Sequence, residues 1–147
     1  MWSSGVGFEN GRLHLSGISA RTLASEFGTP TFFLDEADFR NRATSWGQAL
    51  RDAFGDNAGT VYYAAKAFIC VEVARWVAQS GIGLDVCTGG ELAVALAAGF
   101  PPSKMELHGN NKSFAEIESA IENGVRTIVI DSLIEIQRVA AAAKGRG

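Results

Sequence analysis

The chain has 147 residues, 47% of them hydrophobic and 20% charged, with a formal net charge of -3, a composition that supports a folded core and excludes extensive disorder. Thirteen Lys and Arg against sixteen Asp and Glu leave no basic face for a phosphate backbone, so nucleic acid is not an expected partner. The start MWSSGVGFENGRLHL has no positive flank ahead of an apolar run, and every apolar run is broken well short of the ~20 residues of a bilayer span, so no membrane association is expected and the chain reads as cytoplasmic.

Residues 1–30 read as an entry segment: GRLHLSG has the look of a strand and SARTLASEFG of a short helix. TPTFFLD is then expected as a second strand and EADFRNRATSWGQALRDAFG as a long helix. From residue 60 onward, short β-rich apolar runs alternate with helical patterns, the signature of βα units and a parallel sheet. The predicted strands run from Thr60 to Ala65, Ile82 to Val86, Met105 to His108 and Arg126 to Ile130. Helix starts follow them. Thr88 with Glu91, Ser113 with Glu116, and Ser132 with Glu135 each fit the capping box, in which a hydroxyl caps the third helical amide and the glutamate reaches back to the cap.

Apolar residues then recur at helical spacing: Val73, Ala74 and Val77; Leu92, Ala95 and Leu96; Phe114, Ile117, Ala120 and Ile121; Ile136, Val139 and Ala140. Gly81, Gly99, Gly124 and Gly145 stand where helices need a left-handed residue to end. Cys70 and Cys87 have neither a C-x-x-C spacing nor a neighbouring histidine, so they read as reduced, buried small residues, and no metal site is expected.

The residues at or near the C-terminal ends of the predicted strands are Lys66, Asp85, His108 and Asp131. Parallel strands bring such ends to one face, which in α/β barrels is the face that carries the active site. Any one of the four is equally explained by a strand end meeting solvent. Together, and beginning with a lysine inside YYAAKAF, they favour a site. A lysine held among apolar groups is expected to be pushed toward its neutral amine, which attacks an aldehyde to form a Schiff base. Lys66 is therefore a candidate anchor for pyridoxal phosphate.

The stretch YAAKAFICVEVARWVAQSG, residues 63–81, resembles the cofactor-lysine region of the fold-type III, alanine-racemase-like pyridoxal-phosphate decarboxylases. LDVCTGGELAVALAAG and ELHGNNKSFAEIESAIENGV are similar to the same family, nearest to the members that release carbon dioxide from the D-configured centre of meso-diaminopimelate in lysine biosynthesis. The resemblance implies that residues 31–147 are the N-terminal half of a TIM-type (β/α)8 barrel. The rest of the barrel and a C-terminal β domain would be absent, and a chain ending at Gly147 would be inactive by itself. It implies that Lys66 is catalytic and holds pyridoxal 5'-phosphate, with Asp85 and His108 beside the cofactor. Glu91, Asn110, Asn111 and Asp131 would stand on the rim of the site. For Glu91 the capping box competes, and Ser113 reads as a helix cap. Gly89 and Gly90 open a helix, where an anion can bind, but the cofactor phosphate is not placed on them.

An amino acid is the implied substrate, and a homodimer the implied assembly of the complete enzyme. Three other readings stay open. One is a related fold-type III enzyme, an arginine or ornithine decarboxylase or an amino-acid racemase. Another is a non-catalytic carrier of pyridoxal phosphate. The last, independent of the resemblance, is a small doubly wound domain of flavodoxin type, which explains the βα alternation but not the lysine.

Overall fold

Two dipeptides, Asn10-Gly11 and Ser16-Gly17, shape the beginning of the chain. In the computed structural model, which describes residues 2–55 and 59–145, their φ angles are 51° and 73°, then 48° and 81°. Positive φ at both central residues is what a two-residue hairpin loop needs to follow the twist of its strands. β1 (Val6–Glu9), β2 (Arg12–Leu15) and β3 (Ile18–Ser19) accordingly form an antiparallel meander with Glu9 opposite Arg12 and Leu15 opposite Ile18. The single strand expected over GRLHLSG is thus the middle of three. Ser19 caps α1 (Ala20–Phe27), its hydroxyl accepting from the Thr22 amide at 3.1 Å.

TPTFFLD is not a strand, contrary to expectation: residues 29–35 carry no ladder and Phe32 is fully exposed. Its apolar run has no adjacent strand among the described residues with which to exchange hydrogen bonds, and without a partner an extended segment is not a sheet member. The segment ends at Asp35. There one carboxylate accepts from Ser16 Oγ at 2.9 Å, from Ser3 Oγ at 3.3 Å and from the Asp38 amide at 3.1 Å. The last of these bonds starts α2 (Glu36–Phe54).

The chain divides into two compact units, Met1–Arg42 and Ala43–Gly147; the outer ends Met1 and Gly147 lie outside the described residues. The second unit holds the four expected βα repeats. β4 (Tyr62–Ala64), β5 (Gly83–Val86), β6 (Met105–Leu107) and β7 (Thr127–Ile128) pair in parallel in the order of the sequence. Between and after them come α3 (Val71–Gln79), α4 (Gly89–Ala97), α5 (Phe114–Glu122) and α6 (Leu133–Ala143). Because each strand adds to the same edge and the order never reverses, the sheet has no switch point of the kind that defines a doubly wound fold. It is an arc of a barrel.

Register sorts the side chains into two layers, since residues paired directly across strands share a face. One layer runs Tyr63, Leu84 and Met105, with Val86, Leu107 and Ile128 one row on. Leu84, Val86, Met105 and Leu107 are fully buried, as are Val73, Ala74 and Val77 of α3, Leu92 and Ala95 of α4, and Ile117 and Ala120 of α5. This is the core, and each large aliphatic side chain in it contributes about 1.5–3 kcal/mol by leaving water. The other layer runs Ala64, Asp85, Glu106 and Thr127. That face of the sheet is polar.

Helix ends follow the expected glycines, with φ of 78°, 74°, 73° and 81° at Gly81, Gly99, Gly124 and Gly145. Helix starts are less uniform. Ser113 and Glu116 form the complete capping box. At α4 the Thr88 hydroxyl caps the Glu91 amide, but the Glu91 carboxylate reaches past Thr88 to the Cys87 amide at 2.7 Å. At α6 the expected box is absent: the Ser132 side chain makes no cap bond, and Glu135 turns instead to the Asp131 amide at 2.8 Å. The apolar faces also need correction at three places, because Phe114 and Ile136 are 43% and 52% exposed and Ala140 is exposed as well. Among the described residues no helix is long and apolar enough to cross a membrane.

Candidate functional site

Lys66 owes its position to a change of backbone geometry. β4 stops at Ala64, and Ala65–Ala67 make one 3-10 turn, held by a 2.8 Å bond from the Tyr63 hydroxyl to the Phe68 carbonyl. Ala65 goes into the core at 2% exposure while Lys66 points out to solvent. The expectation that the lysine sits in an apolar pocket is corrected here: the strand is over before the lysine is reached, and the buried residue is its alanine neighbour. What the turn provides is an accessible primary amine at the C-terminal edge of the sheet.

Cys87, just past the end of β5, marks where the strand ends converge. Burial pushes its thiol up, the Asp85 and Glu91 carboxylates push the same way, and the ammonium groups of Lys66 and Lys112 oppose them. So Lys66 lies within electrostatic reach of the loop after β5. Both cysteines are free and half-buried, rather than buried as the sequence suggested.

Asp85 is 8% exposed and directs Oδ2 toward His108 Nδ1 at 3.7 Å. Its Oδ1 is buried with no hydrogen-bond partner among the described residues. A buried carboxylate oxygen left open in this way is an acceptor waiting for a donor. Glu106 stands beside Asp85 in the register, on the same polar face. Burial and then the Asp85 charge push its carboxyl above the usual glutamate range, with His108 opposing. Sequence reasoning missed Glu106, although its spacing of two from His108 was a usable signal once a strand was assigned.

The remaining expected residues fall less tightly. Glu91 is engaged by the Cys87 amide, so the local helix-start role takes its carboxylate. Asn110, Asn111 and Asp131 are exposed along the rim, and what the structure engages of Asp131 is its backbone amide. Of the glycine pair at the start of α4, Gly89 is already served: Glu116 Oε1 accepts from its amide at 2.8 Å, so a carboxylate of the protein stands where an anion would bind that amide. Lys112 and Glu135, buried at 1% and 2% exposure, form an ion pair at 3.0 Å behind the rim. Lys112 was not singled out from sequence and Glu135 was read only as a capping-box residue, because a lysine in a polar loop and a glutamate at a helix start both look solvated.

Pyridoxal phosphate asks for a reachable amine at its aldehyde and for polar groups around its ring. The exposed amine of Lys66, the imidazole of His108 and the open acceptor on Asp85 fit those needs.

Residues 36–146 match the family model described as pyridoxal-dependent decarboxylase, pyridoxal binding domain. Diaminopimelate decarboxylase of Mycobacterium tuberculosis is 52% identical over 139 residues, which are 95% of this chain and 30% of that protein. The crystal structure of diaminopimelate decarboxylase from M. jannaschii in co-complex with L-lysine superposes with a TM-score of 0.83 at 30% identity, covering 97% of this chain and 33% of that one. Lysine/ornithine decarboxylase from Vibrio vulnificus, complexed with putrescine, gives 0.69 at 26% identity over 82% of this chain and 32% of its own. The chain thus spans about 30% of the length of the curated relatives it matches. With its parallel βα arc and its strand-end lysine, the chain belongs to the pyridoxal-dependent decarboxylases, within their pyridoxal-binding domain.

Proposed function

We propose that this chain supplies the cofactor-anchoring part of an enzyme that decarboxylates meso-diaminopimelate to lysine. The observation that carries the reading is the accessible Lys66 amine at the C-terminal edge of the sheet, in a chain 52% identical to a diaminopimelate decarboxylase over 139 residues. Residues 31–147 are assigned to the opening half of the pyridoxal-phosphate barrel, with residues 1–30 leading into it. The assembly is assigned as a cytoplasmic homodimer that takes an amino acid, and neither nucleic acid nor membrane, as its partner.

When bound, pyridoxal phosphate supplies a conjugated ring that accepts the electron pair left by a departing carboxylate. The side chains divide the remaining work. Lys66 Nζ is the attachment atom for the aldehyde and, when free, a proton carrier. Asp85 Oδ2 faces His108 Nδ1 at 3.7 Å, and Asp85 Oδ1 offers its open acceptor to a donor on the ligand. Glu91, Asn110, Asn111 and Asp131 form the rim past which substrate enters.

A second reading within the same family, an ornithine- or arginine-type decarboxylase, is favoured by the likeness to the V. vulnificus lysine/ornithine enzyme. An amino-acid racemase or a non-catalytic carrier of pyridoxal phosphate would use the same lysine. The test is to add pyridoxal phosphate to the intact protein, reduce with borohydride and map the labelled peptide. Label on Lys66 followed by carbon dioxide release from meso-diaminopimelate supports the reading. Release from ornithine or arginine instead would move the substrate assignment, label without release from any amino acid would leave a racemase or a carrier, and label elsewhere would end the proposal.

A further inference from the structure

Lys112 and Glu135 are the most deeply buried charged residues among those described, at 1% and 2% exposure, and nothing in the proposed chemistry uses them. Lys112 Nζ lies 3.0 Å from Glu135 Oε2 and also donates to the Gly109 carbonyl. The same Oε2 accepts from the Asp131 amide at 2.8 Å. Arg138, one helical turn along α6, donates to the Lys112 carbonyl at 3.2 Å. Gly109 in turn lies against the Cys87 carbonyl, 3.2 Å from where a Cβ would stand. One connected set of contacts therefore runs from the end of β5, through the loop after β6, to the loop after β7 and into α6.

Stability alone does not explain the pair. Two charges out of water are commonly matched or bettered by apolar side chains of the same volume. Here the carboxylate is not even fully served, since Glu135 Oε1 is buried with no hydrogen-bond partner among the described residues. What an apolar pair could not do is hold a carbonyl at Gly109 and an amide at Asp131 at the same time. These are backbone groups of the two loops that carry His108, Asn110, Asn111 and Asp131. The Asp131 amide is also the largest influence holding the Glu135 carboxyl below the usual glutamate range, ahead of the opposing burial.

We propose that Lys112 and Glu135 are positioning residues, a buried pair that fixes the loops after β6 and β7 to each other and so presents the rim of the site to the cofactor on Lys66. The assignment rests on the reading of the rim as a pyridoxal-phosphate site.

The test compares Lys112→Met, Glu135→Leu and the double variant in the intact protein. Four readouts are taken: melting midpoint, amide hydrogen exchange over residues 109–113 and 129–132, borohydride-trapped cofactor on Lys66, and kcat against KM. Each single variant leaves a charge buried alone and should melt lower by about 10 °C. The double variant should recover most of that loss, yet keep fast exchange in both loops and a kcat/KM lower by roughly 10- to 100-fold, because the loops are no longer tied. Slow exchange together with wild-type cofactor uptake in the double variant would overturn the proposal and make the pair a filler of space. Failure of the double variant to fold would also overturn it, in favour of a folding role. Should the wild-type protein place no cofactor on Lys66, the decarboxylase reading falls separately, and loop exchange still decides whether the pair ties the two loops.

Discussion

Gly109 joins His108 to Asn110, and its backbone makes a sharp test of how the rim is held. Its φ is 127°, and a Cβ at this position would sit 3.2 Å from the Cys87 carbonyl oxygen. Gly109→Ala then strains the backbone by about 1–3 kcal/mol, partly offset by about 0.4–1 kcal/mol from a less flexible unfolded chain. A net loss of about 1–2 kcal/mol corresponds to a melting midpoint lower by roughly 2–8 °C for a domain of this size. The position also separates two kinds of glycine. Asparagine tolerates the left-handed helical region near φ of about 57° but not an angle this far beyond it, so Gly109→Asn should cost as much as alanine. Gly124→Asn, at φ 73°, should cost less. The local consequence reaches the site: a loop lifted from Cys87 carries the Gly109 carbonyl away from Lys112, and borohydride trapping on Lys66 should fall with it. Thermal melts of the three variants beside the trapping yield decide the matter. A Gly109→Ala protein that melts within about 1 °C of wild type, where a loss of a few degrees is expected, and traps cofactor normally would refute the claim that this backbone angle sets the rim.

Leu84→Ala removes a fully buried side chain from the second strand of the sheet and should cost about 2–5 kcal/mol in denaturant melts. Ser113→Ala should lose about 0.5–2 kcal/mol with its capping box, whereas Ser132→Ala, which makes no cap bond, should stay within about 0.5 kcal/mol. The Arg42 side chain, then the Ser4 amide, hold the Asp38 carboxyl down to about 2. Since the folded value lies below the unfolded one, its contribution to stability is complete above the ordinary aspartate range and fades as pH falls from about 4 toward 2. Carboxyl NMR should place the Asp38 midpoint near that value and return it toward 3.8 in Arg42→Ala.

Much of the second unit could be read in advance because its signals are local. A helix needs an amphipathic stripe and a stop, so Val73, Ala74 and Val77 and then Gly81 announce α3 without reference to anything distant. In the first unit β2 and α1 were legible, but the hairpins around β2 and the segment before α2 were misread for the same kind of reason in reverse. Asn10-Gly11 and Ser16-Gly17 are strong hairpin signals that the periodicity of GRLHLSG overshadowed, while TPTFFLD has the composition of a strand without the partner that makes one. Ile136 follows the same rule. Its helical spacing promised burial, yet burial depends on what packs against that side of α6, and α5 is its chief neighbour among the described residues.

By itself the sequence determined the alternation of strands and helices from residue 60 on, the glycine ends and the lysine after the first strand of the repeat, since each depends on residues within a turn or two of one another. Only the tertiary structure decided which polar residues share a face, because that depends on register. Asp85 and Glu106 are 21 positions apart in the chain and directly paired across the sheet. It also decided that Lys66 is exposed while Lys112, in a loop of asparagines and glycine, is buried. A buried charge is tolerated only where a partner from elsewhere in the chain neutralises it, and Glu135 supplies that partner from the fourth helix of the repeat.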